Sequence, residues 1–259
     1  MEPTKYTTLY FLQITYKGTH YQGWQRQKNA LGIQQIIEDK LFKVTREKCV
    51  LIGCGRTDAG VHASEYFAHL RLKEKPIPNL VYKLNKILPK DIALERMFEM
   101  PGHYNAQMDA TERTYHYFIH TKPDPFIREI SAYYDLKMKN LEGLQQCVAA
   151  IKQATDFHAF CKQPEKVPHT KCKIYDCKCI VSKEENKIHF EIRANRFLRG
   201  MVRLLVGNLI RVLEGQTSVA DFILALKEQK ELPFFTQAHP QGLFLAGVKY
   251  PYPFPPLEQ

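Results

Sequence analysis

The sequence lacks any long apolar run, since no uncharged stretch approaches the roughly 20 residues that a membrane-spanning helix needs. Its first residues also lack the apolar segment of a secretory signal peptide. These two absences argue against a membrane protein and a secreted protein. We therefore expect a soluble, cytoplasmic protein that does not associate with a membrane.

Cysteine is present seven times, but no Cys-x-x-Cys pair occurs. An odd number of cysteines without a secretory signal predicts reduced thiols. Cys177 and Cys179 lie near His169, yet they share one face of a predicted strand, which favours packing over zinc binding. The missing Cys-x-x-Cys also excludes the zinc-dependent nucleobase deaminases. We expect no metal site.

Negative charge is in deficit: the chain has 37 Lys and Arg against 27 Asp and Glu, a formal net charge of +10. This excess favours a polyanionic partner such as nucleic acid, although many basic proteins bind none. A chain of 259 residues with 44% hydrophobic residues can fold into one large domain or two modest ones.

Apolar periodicity divides the chain into two halves of similar organisation. In the first half it predicts the order β-α-β-β-α-β, with elements at 7–16, 33–45, 50–52, 65–72, 79–88 and 92–98. After Pro101-Gly102 it predicts strands at 113–121, 173–181, 188–194 and 243–248, and helices at 141–152, 196–213 and 219–228. We expect an α+β fold in which two ferredoxin-like halves form one long antiparallel sheet, with helices mostly on one face and a central basic cleft. The predicted domains are 1–102 and 103–259.

The predicted helix 196–213 is apolar except for its arginines. Successive residues of a helix are about 100° apart, so the four arginines fall within a sector about 120° wide: Arg196, Arg199, Arg203 and Arg211. A solvated helix face normally mixes Glu, Lys and Gln, so an all-arginine stripe favours a cleft that meets phosphates or a carboxylate. A plain surface stripe with packed aliphatic stems is the alternative.

Residues 53–63 place Arg56 and Asp58 two positions apart in a glycine-rich loop between two predicted strands. Glycine permits backbone conformations that other residues avoid and lets a ligand approach closely. Arg56 can keep a partly desolvated carboxylate ionised, and an ionised, positioned carboxylate can act as a nucleophile. An ordinary turn aspartate is the alternative.

The string Gly-Arg-Thr-Asp-Ala-Gly-Val-His at 55–62 resembles the catalytic motif of TruA-type tRNA pseudouridine synthases. Three further segments resemble motifs of that family and follow in its order along the chain: 16–27, 110–117 and 194–207. Four ordered motifs make a chance match a poor explanation. The resemblance implies the family's fold, which agrees with the one expected from periodicity.

The resemblance implies a role for individual residues. Asp58 is implied to be the catalytic aspartate, Tyr115 to contact the uracil, and Arg203 to form an ion pair with Asp58. Substrate-binding roles are implied or expected for the remaining candidates: Arg56, Trp24, Arg26, Arg196 and Arg199. Tyr115 lies in an aromatic strand that would otherwise be assigned to the core, and Trp24 could equally be a buried anchor.

The implied activity is isomerisation of uridines 38 to 40 in the anticodon arm of tRNA by a homodimer. No cofactor is expected, because the reaction needs no redox change and no group donor. Attack by Asp58 on the uracil and attack on the sugar C1′ both stay open. Gln107 stands where the family has arginine, which can shift the preferred site. The alternatives are a pseudouridine synthase for another RNA site and a non-catalytic RNA-binding or folding factor.

Overall fold

The computed structural model describes residues 7–228 and 236–255. These residues form nine β-strands and five α-helices, which confirms the α+β class. They fall into two compact units, one made of the chain up to Thr111 together with the chain from Leu245 onward, and the other made of Glu112–Phe244. In the described residues no helix is both long and apolar enough to cross a bilayer.

The first unit contains the predicted β-α-β-β-α-β order. Its elements are β1 (Thr8–Tyr16), α1 (Ile33–Thr45), β2 (Ile52–Gly53), β3 (His62–Leu72), α2 (Leu80–Asn85) and β4 (Ile92–Met100). Strand β1 is antiparallel to both β3 and β4, and β2 is antiparallel to β3. Strand β1 thus lies between β4 and β3, and the short strand β2 pairs with β3. The connection from β2 to β3 carries Asp58.

Helix α1 has the predicted bounds because its buried residues Ile33, Ile36, Ile37 and Leu41 recur at helical spacing. Helix α2 is shorter than the predicted range 79–88. It begins after Asn79, which has a left-handed backbone at φ 59°. The Asn85 side chain pairs with the backbone N–H and C=O of Leu94 on β4. These contacts tie the end of the helix to the sheet.

The second unit contains the elements β5 (Glu112–His120), β6 (Ala132–Tyr133), α3 (Leu141–Gln153), β7 (Ile174–Ser182), β8 (Lys187–Ala194), α4 (Met201–Leu213) and α5 (Val219–Glu228). Strand β8 is antiparallel to β5 and β7. The short strand β6, which the sequence did not predict, is parallel to β5. Pairing is therefore mixed rather than purely antiparallel.

The predicted helix 196–213 begins five residues late, at Met201. Gly200 precedes it with φ 71°, a left-handed conformation that no helical residue adopts. The prediction of a four-arginine stripe on one helix is therefore wrong. Arg196 and Arg199 lie in the loop before α4, and only Arg203 and Arg211 lie on the helix.

The compact units differ from the predicted segments 1–102 and 103–259, because the aromatic C-terminal segment belongs to the first unit. Strand β9 (Leu243–Lys249) leads into this segment. Tyr250 Oη donates to the Ala106 carbonyl at 2.6 Å, and Phe254 stacks on Phe67 with 5.0 Å between ring centroids. The sequence also predicts that Pro251, Pro253, Pro255 and Pro256 form an extended tail, of which Pro256 lies outside the described residues.

We predict that Phe254→Ala lowers the free energy of unfolding by about 1.5–2.5 kcal/mol, roughly half the usual cost of deleting a fully buried phenyl ring. The ring is half-buried and contacts Phe67, Phe98 and Phe11. Urea denaturation measures the change. Phe126→Ala is the matched control: that ring is 92% exposed, so its loss should change the free energy by less than about 0.5 kcal/mol. Equal effects of the two changes would contradict the packing role of Phe254.

Candidate active site

Asp58 lies in the tight connection between β2 and β3, as the sequence predicted. The loop closes on itself through a hydrogen bond from Val61 N to Asp58 O at 3.2 Å, and Gly60 turns the chain at φ 75°. Asp58 is partly exposed and Arg56 is exposed, whereas Thr57 between them is buried. The loop therefore leaves Arg56 accessible and Asp58 partly accessible, and it turns Thr57 inward.

Main-chain hydrogen bonds hold the Asp58 loop on both sides of the aspartate. Trp24 N donates to Thr57 O at 3.2 Å, and Gly60 N donates to Tyr21 O at 3.1 Å. The partners Tyr21 and Trp24 belong to the first of the four motifs. That motif therefore positions the Asp58 loop through its backbone.

Two glycines of the first motif allow this backbone contact. Gly23 has φ 84°, and a Cβ there would lie 2.3 Å from the Thr57 carbonyl oxygen. A Cβ on Gly18 would lie 2.0 Å from the Val61 carbonyl oxygen. Any side chain at either position would push residues 57–61 away.

The contacts of two buried side chains of this segment, Thr57 and His62, were not predicted from the sequence. The Thr57 hydroxyl lies 2.8 Å from the Tyr16 hydroxyl. His62 Nδ1 accepts a hydrogen bond from Gly18 N at 2.9 Å, so that nitrogen carries no proton. His62 is fully buried and has a structural role. The only sequence signal for these contacts was the co-occurrence of the two motifs.

Trp24 is 3% exposed, and its ring lies 4.1 Å from that of Tyr66. Its Nε1 atom also limits Gly53, where a Cβ would approach it to 2.7 Å. Trp24 is therefore buried, as the anchor that the sequence left open would be, and its direct contact with substrate stays a prediction. Its ring packs against Tyr66 and against Gly53, where the Asp58 loop begins.

Arg26 binds two carboxylates of α1. Its Nε donates to Glu38 at 3.0 Å and its Nη2 donates to Asp39 at 2.9 Å. Glu38 also accepts the Leu51 N–H at 2.9 Å, just before β2. The positive charge that was expected to contact RNA is thus compensated within the protein, and Arg26 ties the first motif to the strand that leads into the loop.

Tyr115 lies on β5 in the second unit, in register with Ile192 of β8. It is partly exposed, and its ring meets that of Phe197 edge-on at 4.9 Å. By contrast, Tyr117 on the same face of β5 is completely buried. Tyr115 is therefore at the margin of the core, and its contact with uracil stays a prediction.

Arg203 lies near the start of α4, where its Nε donates to the Ala238 carbonyl at 2.7 Å. Burial raises the pKa of Tyr117 well above its ordinary value, and Tyr134 adds to this increase. The positive charge of Arg203 acts in the opposite direction. The sequence did not predict this interaction between Arg203 and Tyr117.

Arg196 and Arg199 are held by partners that carry no negative charge. Arg199 Nη1 donates to Gln163 Oε1 at 2.6 Å, and Arg196 Nη1 lies 3.3 Å from His169 Nε2. Neither of these contacts compensates the positive charge, and Arg199 is exposed. Both side chains suit the expected contacts with phosphate.

The candidates divide between the two compact units. The first contains Arg56, Asp58, Trp24 and Arg26, and the second contains Tyr115, Arg196, Arg199 and Arg203. The ion pair between Asp58 and Arg203 stays a prediction. Within the described ranges, no three His, Cys, Asp or Glu side chains are grouped as a metal ion would require.

Known proteins resemble this chain over nearly its full length. A family model described as tRNA pseudouridine synthase matches residues 154–251. The tRNA pseudouridine synthase A of Porphyromonas gingivalis is 35% identical over 245 residues, which cover 93% of this chain and 97% of that protein. Proteins of the same name from Bacteroides fragilis and Parabacteroides distasonis are each 36% identical, over 93% and 96% of this chain and 96% and 98% of their own lengths. Together with the glycine-framed Asp58 loop, this similarity shows that the chain belongs to the tRNA pseudouridine synthase family.

Proposed function

We propose that this member of the tRNA pseudouridine synthase family isomerises uridines 38 to 40 of the tRNA anticodon arm, with Asp58 as the nucleophile. We further propose that it works in the cytoplasm as a homodimer, in which one tRNA contacts both subunits. The names of the relatives support tRNA as the substrate. The net charge of +10 favours binding to such a polyanion.

The proposal depends chiefly on two backbone hydrogen bonds that hold the Asp58 loop, which together we call the backbone clamp. Hydrogen bonds from Trp24 N to Thr57 O and from Gly60 N to Tyr21 O fix the chain on both sides of the aspartate. A carboxylate on a loop fixed in this way loses little further conformational freedom when it reaches its reaction geometry. An ordinary turn aspartate would not need a second motif built against it.

The reaction breaks the bond between C1′ and N1, rotates the uracil and joins C5 to C1′. The proton on C5 is lost and N1 gains one, so atoms and electrons balance without a cofactor. Asp58 adds either to the uracil or to C1′, and both routes need its ionised form. In the proposed site Arg203 stabilises that form, while Tyr115 holds the base and relays the C5 proton.

The target nucleotide must leave the base stack to reach Asp58, at a cost of a few kcal/mol that binding contacts must offset. Arg56, exposed beside Asp58, suits the role of supporting the extruded nucleotide. Arg196 and Arg199 suit contacts with the phosphate backbone, because their hydrogen-bonding partners carry no negative charge.

Gln107 favours one alternative, a pseudouridine synthase that modifies a different RNA site. The residue is exposed, so the family's arginine would have faced solvent at this position. Glutamine offers a hydrogen bond there but no charge. Mapping of pseudouridine in tRNA from cells with and without the protein decides between the sites.

We predict that Asp58→Asn lowers turnover by at least about a thousandfold, because the amide cannot act as the nucleophile. The affinity for tRNA should change by less than about tenfold, since phosphate and stacking contacts remain. Tritium release from C5-labelled uridine in tRNA measures turnover. Asp221→Asn, the same change at an exposed residue of α5, is the control and should retain wild-type turnover within about twofold. If Asp58→Asn retains a tenth of the activity, Asp58 is not the nucleophile.

We predict that Gly23→Ala lowers turnover by about tenfold or more, because the new methyl group displaces Thr57 and hence Asp58. Gly215→Ala separates this effect from backbone strain. Gly215 has a similar φ of 71°, but a Cβ there meets nothing within 4 Å. This control should lose about 1 kcal/mol of stability and keep its turnover. Equal losses of turnover in the two variants would contradict the backbone clamp.

We predict that Arg199→Ala reduces the slope of log affinity for tRNA against log salt by roughly 0.7 to 0.9, the value for one lost phosphate contact. Filter binding at four or more salt concentrations gives the slope. Lys187→Ala removes one charge from the same unit at a side chain that lies 3.7 Å from Glu185, and should leave the slope unchanged. An unchanged slope for Arg199→Ala would assign Arg199 to the ordinary surface.

A further inference from the structure

A single peptide group of the second unit contacts Arg203 at one end and Tyr134 at the other. The Ala238 carbonyl accepts the hydrogen bond from Arg203 Nε at 2.7 Å. The His239 N–H, on the opposite edge of the same peptide plane, donates to the Tyr134 hydroxyl oxygen at 2.9 Å. Because a peptide group is rigid and planar, a shift at one edge is transmitted to the other.

Arg203 and Ala238 are also bound through the main chain, since Ala238 N donates to Arg203 O at 2.9 Å. Gly207, one turn further along α4, makes room for the approaching segment. A Cβ at that position would lie 2.3 Å from the Thr236 carbonyl oxygen. Residues 236–239 therefore lie directly against α4.

Tyr134 is itself fixed to the sheet. Its backbone N–H donates to His120 O at 3.1 Å, at the end of β5. Its ring lies 5.1 Å from that of His239, and its hydroxyl lies 3.5 Å from the Tyr117 hydroxyl. Tyr117 Oη in turn donates to the His239 carbonyl at 2.7 Å. Both polar groups of the His239 backbone are thus bound by tyrosine hydroxyls, one from Tyr117 on β5 and one from Tyr134.

A guanidinium group is planar, so a hydrogen bond that fixes Nε–H also restricts the plane of the other four N–H groups. The direction of that bond is set by the Ala238 carbonyl. We propose that Tyr134 is a positioning residue for Arg203: its hydroxyl orients the Ala238–His239 peptide, and the peptide orients the guanidinium. This inference rests on the role proposed above for Arg203.

Tyr134→Phe tests the inference because it removes the hydroxyl acceptor and keeps the ring. We expect kcat to fall about three- to tenfold while KM for tRNA stays within about twofold, since a misoriented catalytic group slows turnover without weakening RNA contacts. The melting temperature should stay within about 2 °C of wild type. Tyr133→Phe, the same change at the adjacent exposed residue, is the control and should leave kcat and KM unchanged.

Arg203→Lys separates failure of the inference from failure of the proposed function. If this variant loses turnover while Tyr134→Phe keeps wild-type kcat, Tyr134 does not position Arg203. If Arg203→Lys itself keeps wild-type kcat, the proposed role of Arg203 is wrong and the inference falls with it. A rise in KM at constant kcat for Tyr134→Phe would also overturn the inference, because it would assign Tyr134 to RNA binding.

Discussion

Two stretches of backbone, residues 18–24 and 57–61, lie in direct contact, and the position of Asp58 depends on that contact. Gly18 and Gly23 are required because a side chain at either position would collide with a carbonyl group of the loop. Trp24, Tyr16 and Tyr66 then fill the space beneath. The first motif of the chain is thus best understood as the support for the second.

Regular periodicity allowed much of the fold to be predicted. Helix α1 was predicted with its observed bounds because its apolar residues repeat at helical spacing and end before Arg46, which has a left-handed backbone. The start of α4 was predicted wrongly because the apolar pattern continues through Phe197 and Leu198, on the far side of Gly200. Periodicity records which side chains are apolar, and it does not record a left-handed backbone angle.

The candidate site was predictable where its residues lie close together in the sequence. Arg56 and Asp58 share one short string, and the β2–β3 connection follows from the flanking strands. The contacts that orient Arg203 could not be predicted, because Ala238 lies 35 residues away and the pair Tyr117 and His239 is separated by 122 residues. Hydrogen bonds over such distances leave no local pattern. Trp24 shows the same limit, since a ring that anchors a loop and a ring that binds RNA look alike in sequence.

The return of the aromatic C-terminal segment to the first unit has a consequence for synthesis on the ribosome. Residues 112–244 form a unit from one continuous stretch, whereas residues up to 111 pack with residues from Leu245 onward, which are translated after that stretch. The residues up to 111 must therefore wait for Tyr250, Tyr252 and Phe254 before their aromatic cluster is complete. Folding of the nascent chain should finish with the unit that carries Asp58, which reverses the usual order from the N-terminus to the C-terminus.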